Sequence, residues 1–217
     1  MGLELDIALV SKAYNGNPVL RDCSFSFTRG LTYALQGPNG SGKSTLLRLL
    51  ALLETPDTGS VDYLENGAVL PKNLELRRRF TLVLPRPGIF NTTVFNNVAY
   101  GLKIRGVKAE EIAARVNGIL ATVGLAHKKS QRALDLSSGE TKRLGLARAM
   151  VLNPEVLFLD EPTANIDPLN TEIIENIILK MKAGGAATIL LITHDPAQAE
   201  RLGDQLLFLK GGRLVPG

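Results

Sequence analysis

A single cysteine, Cys23, leaves no partner for an intrachain disulfide, which fits a reducing compartment. No apolar run approaches the roughly 18 residues that cross a bilayer. The most apolar stretches, Leu46–Leu53 and Ala186–Ile192, have the lengths of a core helix and a core strand. Glu4 and Asp6 interrupt the N-terminus where a signal peptide would need an unbroken apolar segment, so no leader is expected. Work at a membrane would then go through a partner. Neither charge dominates: the net charge is +4 and the basic residues are dispersed. The one dense cluster, Arg77-Arg78-Arg79, reads as a solvated helix end rather than a nucleic-acid patch, so no nucleic acid is expected as a partner. Internal repeats and low-complexity tails are also missing. What remains is ordinary globular composition, 45% hydrophobic and 21% charged over 217 residues, enough for one large domain or a domain with an insertion.

Against that plain background one stretch stands out, Gly37-Pro38-Asn39-Gly40-Ser41-Gly42-Lys43-Ser44-Thr45. It fits the phosphate-loop pattern G-x-x-x-x-G-K-[ST]. Glycines let the backbone curl until successive N–H groups face one hollow, a nest for oxyanions. The following helix adds the positive end of its dipole. Lys43 can then reach the β- and γ-phosphates, and the Ser44 hydroxyl can ligate Mg2+. The context agrees, since Leu31–Leu35 reads as a buried strand before the loop and Leu46–Leu53 as a helix after it. The chain binds a nucleotide on this reading.

Short β-type runs fill the first part, at Leu3–Val10, Val19–Phe27 and Leu31–Leu35, and Phe80–Leu84 reads as another buried strand. Residues 55–59 form a turn cluster. From about Pro85 to Leu136 the pattern turns helical, over Asn91–Leu102 and Ala109–Val123. Ile112, Val116, Ile119, Leu120 and Val123 are spaced there to share a face. Gly139–Leu152 reads as a helix stopped by Asn153-Pro154. Val156–Leu159 and Thr188–Ile192 are continuous apolar runs, as parallel strands buried on both faces require. Gln205–Leu209, Lys210-Gly211-Gly212 and Arg213–Val215 read as a hairpin.

Two carboxylates, Asp160 and Glu161, end the run from Val156, and strand C-termini are where α/β sheets bind ligands. Asp160 can hold magnesium through water, and Glu161 can polarise an attacking water. His194 follows the next apolar strand onto the same end of the sheet, placed for a γ-phosphate or water contact. His127 has no such setting and reads as solvated. Ser137 or Ser138 is a natural N-cap for the helix reaching Leu152, and that helix start can also serve as an anion site.

Together these motifs resemble the ATP-binding subunits of ABC transporters over essentially the whole chain. The ordered set is the phosphate loop, Leu136-Ser137-Ser138-Gly139-Glu140 as signature, Asp160-Glu161, Ala164-Asn165-Ile166-Asp167 as D-loop, and His194 as switch histidine. The resemblance implies an α/β fold: a P-loop NTPase (RecA-like) core with an N-terminal antiparallel β subdomain and a helical insertion. Residues 1–84 and 136–217 would form the core with its β subdomain. Residues 85–135 would form the helical subdomain that docks on a permease, especially through Arg86–Leu102. It implies ATP and Mg2+ as cofactors, Glu161 and His194 as catalytic residues, and Ser44 and Asp160 at the metal. ATP would contact Gly37, Asn39, Gly40, Ser41, Gly42, Lys43, Ser44 and Thr45. Tyr14 would stack on adenine, and Asp167, the retained D-loop carboxylate, would also take part in binding the nucleotide. Two subunits, as a homodimer, would sandwich two ATP molecules, with Ser137 and Gly139 of each touching the γ-phosphate held by the other. An integral membrane permease and, indirectly, an extracytoplasmic solute-binding protein complete the expected partners, with the chain cytoplasmic and peripheral on the inner membrane face.

The chain also departs from the family pattern. Pro85 stands where a glutamine is expected to contact magnesium and the attacking water, and proline offers neither a side-chain polar group nor a backbone N–H. Slowed or poorly coupled hydrolysis is the consequence expected of it. Ser138 replaces a usual glycine, Glu140 a usual glutamine, and Ala164-Asn165-Ile166 the usual D-loop start. The leading function is the ATPase subunit of an ABC importer. Residues 91–106 look like the corresponding stretch of tungstate-type oxyanion importers, and the chain is expected to lack the regulatory C-terminal domain of sugar importers. Amino-acid or metal-ion import is the alternative, followed by an exporter subunit. From another class come a soluble ABC ATPase acting on DNA or ribosomes, and a nearly inactive subunit paired with an active one.

Overall fold

The computed structural model describes residues 3–185 and 187–217, so Ala186 at the head of one apolar run lies outside them. Strands β1 (Glu4–Tyr14) and β2 (Asn17–Phe27) are antiparallel, with Tyr14 opposite Asn17. Asn15 and Gly16 join them at φ values of 50° and 78°. Two successive left-handed residues make the tight turn whose twist matches that of the strands. Next, β3 (Thr32–Gln36) leads through the loop into α1 (Lys43–Leu50). The helix starts earlier than its apolar run suggests and stops at Leu50, because Leu52 takes a left-handed φ of 52°. β4 (Thr58–Glu65) returns antiparallel to β1, and β5 (Ala68–Val69) pairs back on it. These four strands form one sheet in the order β2-β1-β4-β5.

A single turn, α2 (Leu74–Arg77), precedes β6 (Phe80–Val83). Arg79 between them departs from the expected solvated helix end. Its guanidinium donates to Glu155 at 2.6 and 2.8 Å and to Glu65 at 2.6 Å, a fork that ties three segments together. The remaining elements are α3 (Val94–Ile104), α4 (Ala109–Thr122), α5 (Ser138–Met150), β7 (Val156–Asp160), α6 (Pro168–Ala183), β8 (Thr188–Ile192), α7 (Pro196–Leu202), β9 (Gln205–Lys210) and β10 (Arg213–Pro216). The second sheet runs β10-β9-β3-β8-β7-β6, parallel where β3 meets β8 and β9 and where β7 meets β8. Every residue of β7 and β8 is buried, as strands covered on both faces must be. The fold is the α/β P-loop type with an antiparallel β part.

The chain divides into two compact units. The first comprises Met1–Leu82, Glu155–Glu161 and Met181–Gly217, and holds both sheets' main strands around α1. Its core joins Leu46, Leu47, Leu49 and Leu50 of α1 to Tyr63, Phe80 and Phe158. Tyr63 stacks on Phe80 at 5.0 Å between centroids and donates its hydroxyl to Leu50 O at 2.6 Å. That bond pins the far end of α1, so its N-terminus stays aimed at the loop.

The second unit comprises Val83–Pro154 and Pro162–Lys180. There α3, α4 and α5 pack on one another. Ile112, Val116, Leu120 and Val123 are buried as their spacing predicts, whereas Ile119 stays half-buried at the edge of that face. α3 begins at Val94 rather than Asn91, because the Thr93 side chain caps it by accepting from Asn96 N. Asn97, only 1% exposed, donates to Phe90 O and Thr93 O at 3.0 Å and accepts from Phe90 N at 3.0 Å. A buried amide satisfied in this way fixes the segment ahead of α3. Among the described residues, no helix is long and apolar enough to cross a membrane.

Candidate active site

In the first unit, β3 ends at Gln36 and the chain curls through residues 37–42 before α1 begins. Gly37 has a φ of 151°, and a β-carbon there would lie 2.5 Å from Leu209 O. Gly42 has a φ of 103°, and its β-carbon would lie 2.8 Å from Val19 Cγ1. Both positions therefore exclude any side chain. The loop is closed by Ser41 N donating to Pro38 O at 3.2 Å.

Lys43 follows, 6% exposed, and its ammonium donates to Gly37 O at 2.8 Å and Pro38 O at 2.9 Å. Burial pushes its pKa down, while the charges of Glu161 and Asp160 work the other way. A cleft of about 290 Å³ opens beside it, lined by Tyr14, Asn39, Gly40, Lys43, Ser44 and Glu161 among others. Gly42 and Thr45 line the same cleft, so most of the loop and one catalytic candidate converge on one space.

Asp160 closes β7 and is 4% exposed. Burial pushes its pKa up, opposed by a hydrogen bond from the Ser44 hydroxyl, and its Oδ1 has no hydrogen-bond partner among the described residues. Glu161 takes a left-handed φ of 49°, so the strand's alternation of faces ends there. Its Oε1 lies 2.8 Å from His194 Nε2, and its N–H donates to Ile192 O at 3.2 Å. Adjacent strand ends thus bring the two expected catalytic side chains into direct contact.

Tyr14 ends β1 with its ring against the cleft and its hydroxyl donating to Glu54 Oε2. Glu54 in turn accepts from Arg48 Nε at 2.6 Å, and Arg48 Nη2 donates to Thr45 Oγ1 at 3.2 Å. Sequence reasoning misses Glu54 and Arg48. Their spacing falls across the end of α1, so no helical periodicity pairs them.

The other site candidates lie in the second unit. Ser137, not Ser138, caps α5: its side chain accepts from Glu140 N while Glu140 Oε2 accepts from Ser137 N at 3.0 Å. Lys128 grips the other Glu140 oxygen at 2.6 Å. The glutamate that departs from the family pattern is therefore built into a capping box. Asp167 accepts from Asn170 N at 2.9 Å, and Asn170 in turn lies against Gly139. Asn170 is a further residue that sequence reasoning misses, although Asp-x-x-Asn is a capping spacing. Pro85 lines a second cavity of about 520 Å³ with Arg86, Pro87, Ser138, Lys142 and Asn165.

A family model described as ABC transporter matches residues 20–164. The chain belongs to the ABC transporter family. Within that family it is an ATP-binding subunit with ATPase activity. The tungstate uptake system ATP-binding protein TupC of Peptoclostridium acidaminophilum is 39% identical over 212 residues, covering 98% of this chain and 97% of the relative. A phosphate import ATP-binding protein, PstB 2 of Natronomonas pharaonis, is 38% identical over 97% of this chain and 78% of its own length. Among solved structures, cbiO1 from Clostridium perfringens, part of the ABC transporter complex cbiONQ, has a TM-score of 0.87 at 28% identity, covering 99% of this chain and 88% of that one. This ABC subunit thus shares its fold with part of an ABC transporter complex and its sequence with uptake and import ATP-binding proteins.

The raised pKa of Asp160 carries a stability consequence. Its folded value lies above the ordinary one, so ionisation costs the fold stability at pH values above the ordinary carboxylate range. The cost fades as pH falls and the folded protein takes up the proton. Asp160→Asn is therefore expected to raise the melting temperature of the nucleotide-free chain by about 2–4 °C at neutral pH, with a smaller gain in acid. ATP turnover should be lost. Calorimetry across pH checks this; a lowered melting temperature at neutral pH, or a gain that grows in acid, contradicts it.

Proposed function

We propose that this chain is the motor subunit of an oxyanion importer of the tungstate kind, acting as a homodimer seated on the inner face of the membrane beneath an integral permease. The observation that carries the cargo is the likeness to TupC over nearly the full length of both chains. Phosphate and anion import proteins among the other relatives support the wider oxyanion class. A solute-binding protein outside the membrane would deliver the cargo.

The chemistry follows from the first unit's geometry. ATP phosphates enter the hollow of residues 37–42, and Lys43 exchanges the Gly37 and Pro38 carbonyls for β- and γ-phosphate oxygens. Tyr14, steadied through its hydroxyl by Glu54, offers its ring to the adenine. The donor set suits magnesium: the Ser44 hydroxyl and Asp160, a buried carboxylate with one oxygen unpaired, are hard oxygen ligands. That ion supplies charge neutralisation of the phosphates. Glu161 takes a proton from water as the water oxygen bonds to the γ-phosphorus, and the bond to the β–γ bridging oxygen breaks to release ADP. His194, already bonded to Glu161, holds that carboxylate in line and can reach the departing phosphate. Ser137 and Gly139 of a second copy, with the D-loop carboxylate Asp167, would complete each site at the head of α5.

The helical segment 85–135 would meet the permease. Phe90 and Tyr100 are exposed and in ring contact at 4.6 Å, with the Arg148 guanidinium 4.7 Å from the Phe90 ring. Exposed aromatics fixed by a cation have the character of an interface anchor.

Two outcomes test the reading. Co-expressed with a permease of a tungstate importer, the chain should be recovered in the membrane complex, and tungstate-loaded binding protein should stimulate ATP turnover. Glu161→Gln should lower that turnover about a hundredfold or more without releasing ATP. Stimulation by phosphate or methionine rather than tungstate would overturn the cargo, and undiminished turnover in Glu161→Gln would overturn the base. Pro85→Gln restores a polar side chain near the signature and is expected to raise turnover several-fold. An unchanged rate in steady-state assays would count against the account of slowed hydrolysis.

A further inference from the structure

Asn170 links two motifs that the sequence keeps far apart. The Asp167 carboxylate accepts from Asn170 N at 2.9 Å through one oxygen and from Asn170 Nδ2 at 2.6 Å through the other. Thr171 N and Oγ1 also donate to Asp167 O, at 3.0 and 3.1 Å. The Nδ2 bond holds the Asn170 side chain in one position at the start of α6. The Asn170 backbone and side-chain hydrogen bonds also hold the Asp167 carboxyl below the usual range.

The amide so held lies on Gly139. A β-carbon at Gly139 would come within 2.3 Å of Asn170 Cγ, 2.5 Å of its Nδ2 and 2.7 Å of its Oδ1. Gly139 sits inside α5, outside the residues with positive φ, so backbone strain does not demand glycine there. Space demands it. A flexible side chain could swing away from an added methyl group, but this one is held by its Nδ2 bond to Asp167. Moreover, Asn170 Oδ1 is buried without a hydrogen-bond partner among the described residues, a cost that packing alone gives no reason to retain.

We propose that Asn170 is a positioning residue. Held by Asp167, its amide bears on Gly139 and fixes the serine–glycine turn at the head of α5 to the D-loop as one piece. The proposal rests on the reading that Ser137 and Gly139 contact nucleotide across the dimer, and its test separates the two. Gly139→Ala, Asn170→Ala and the double variant are made in the full chain. Melting temperature is followed by calorimetry, and kcat and KM by steady-state ATP hydrolysis.

Gly139→Ala alone should lower the melting temperature by several degrees and kcat by about tenfold or more, whereas in the Asn170→Ala background the added methyl should lower the melting temperature little further. Asn170→Ala alone should lower kcat about fivefold and leave the ATP KM within about twofold, since the binding cleft is untouched. Equal melting losses in both backgrounds would show that Asn170 does not impose the glycine and would overturn the contact. Coupled melting temperatures with an unchanged kcat in Asn170→Ala would reduce the contact to packing and overturn the positioning role. A wild-type rate equal to that of Glu161→Gln would sink the reading beneath the proposal, and the proposal with it.

Discussion

At Gly37 a β-carbon would strike Leu209 O, and at Gly42 it would strike Val19, so backbone alone passes between β9, β2 and the start of α1. That passage decides where everything else sits. It sets α1 with its N-terminus open to a ligand, and the Tyr63–Leu50 bond holds the opposite end. It brings Lys43 below the loop, where the carbonyls of Gly37 and Pro38 occupy its ammonium. The parallel strands β7 and β8 then deliver Asp160, Glu161 and His194 from their C-terminal ends. In a parallel sheet those ends share one edge by construction.

The site is assembled from groups that a structure selected for stability alone would avoid. Lys43 is buried with its pKa pushed down, Asp160 is buried with its pKa pushed up, and both Asp160 Oδ1 and Ser41 Oγ lack hydrogen-bond partners among the described residues. Glu161 occupies a left-handed conformation that non-glycine residues seldom adopt. Such features cluster where a protein holds a charged substrate, because the ligand supplies the missing partners. The Tyr14–Glu54–Arg48–Thr45 chain shows the same economy at the other end of the cleft. It joins the ring proposed for the base to the helix that carries the phosphate loop.

The phosphate loop and the buried strands are legible in the sequence because each follows from a local rule. Glycine spacing marks a backbone nest, and unbroken apolar runs mark strands covered on both faces. The tail hairpin is legible for a similar reason, since Gly211 and Gly212 both take the left-handed φ that their turn needs. β4 is harder to read. Its alternation rests on Val61 and Tyr63 alone, between polar neighbours. α6 shows Ile174, Ile177 and Ile178 on one face, but its start is marked by a D-loop rather than by a familiar cap. Arg79 illustrates the deeper limit. Within a run of three arginines nothing singles it out, and only the fold brings Glu65 and Glu155 to it. Asn170 is illegible for the same reason, since its partner Gly139 lies on another helix.

The central claim is that this loop and Lys43 capture the terminal phosphates. Calorimetric titration of ATP and AMP into the wild-type chain and into Lys43→Ala tests it most directly. Loss of a charge-assisted contact should weaken ATP about thirtyfold or more and leave AMP within about twofold. An equal loss for both nucleotides, or none for either, would contradict the account.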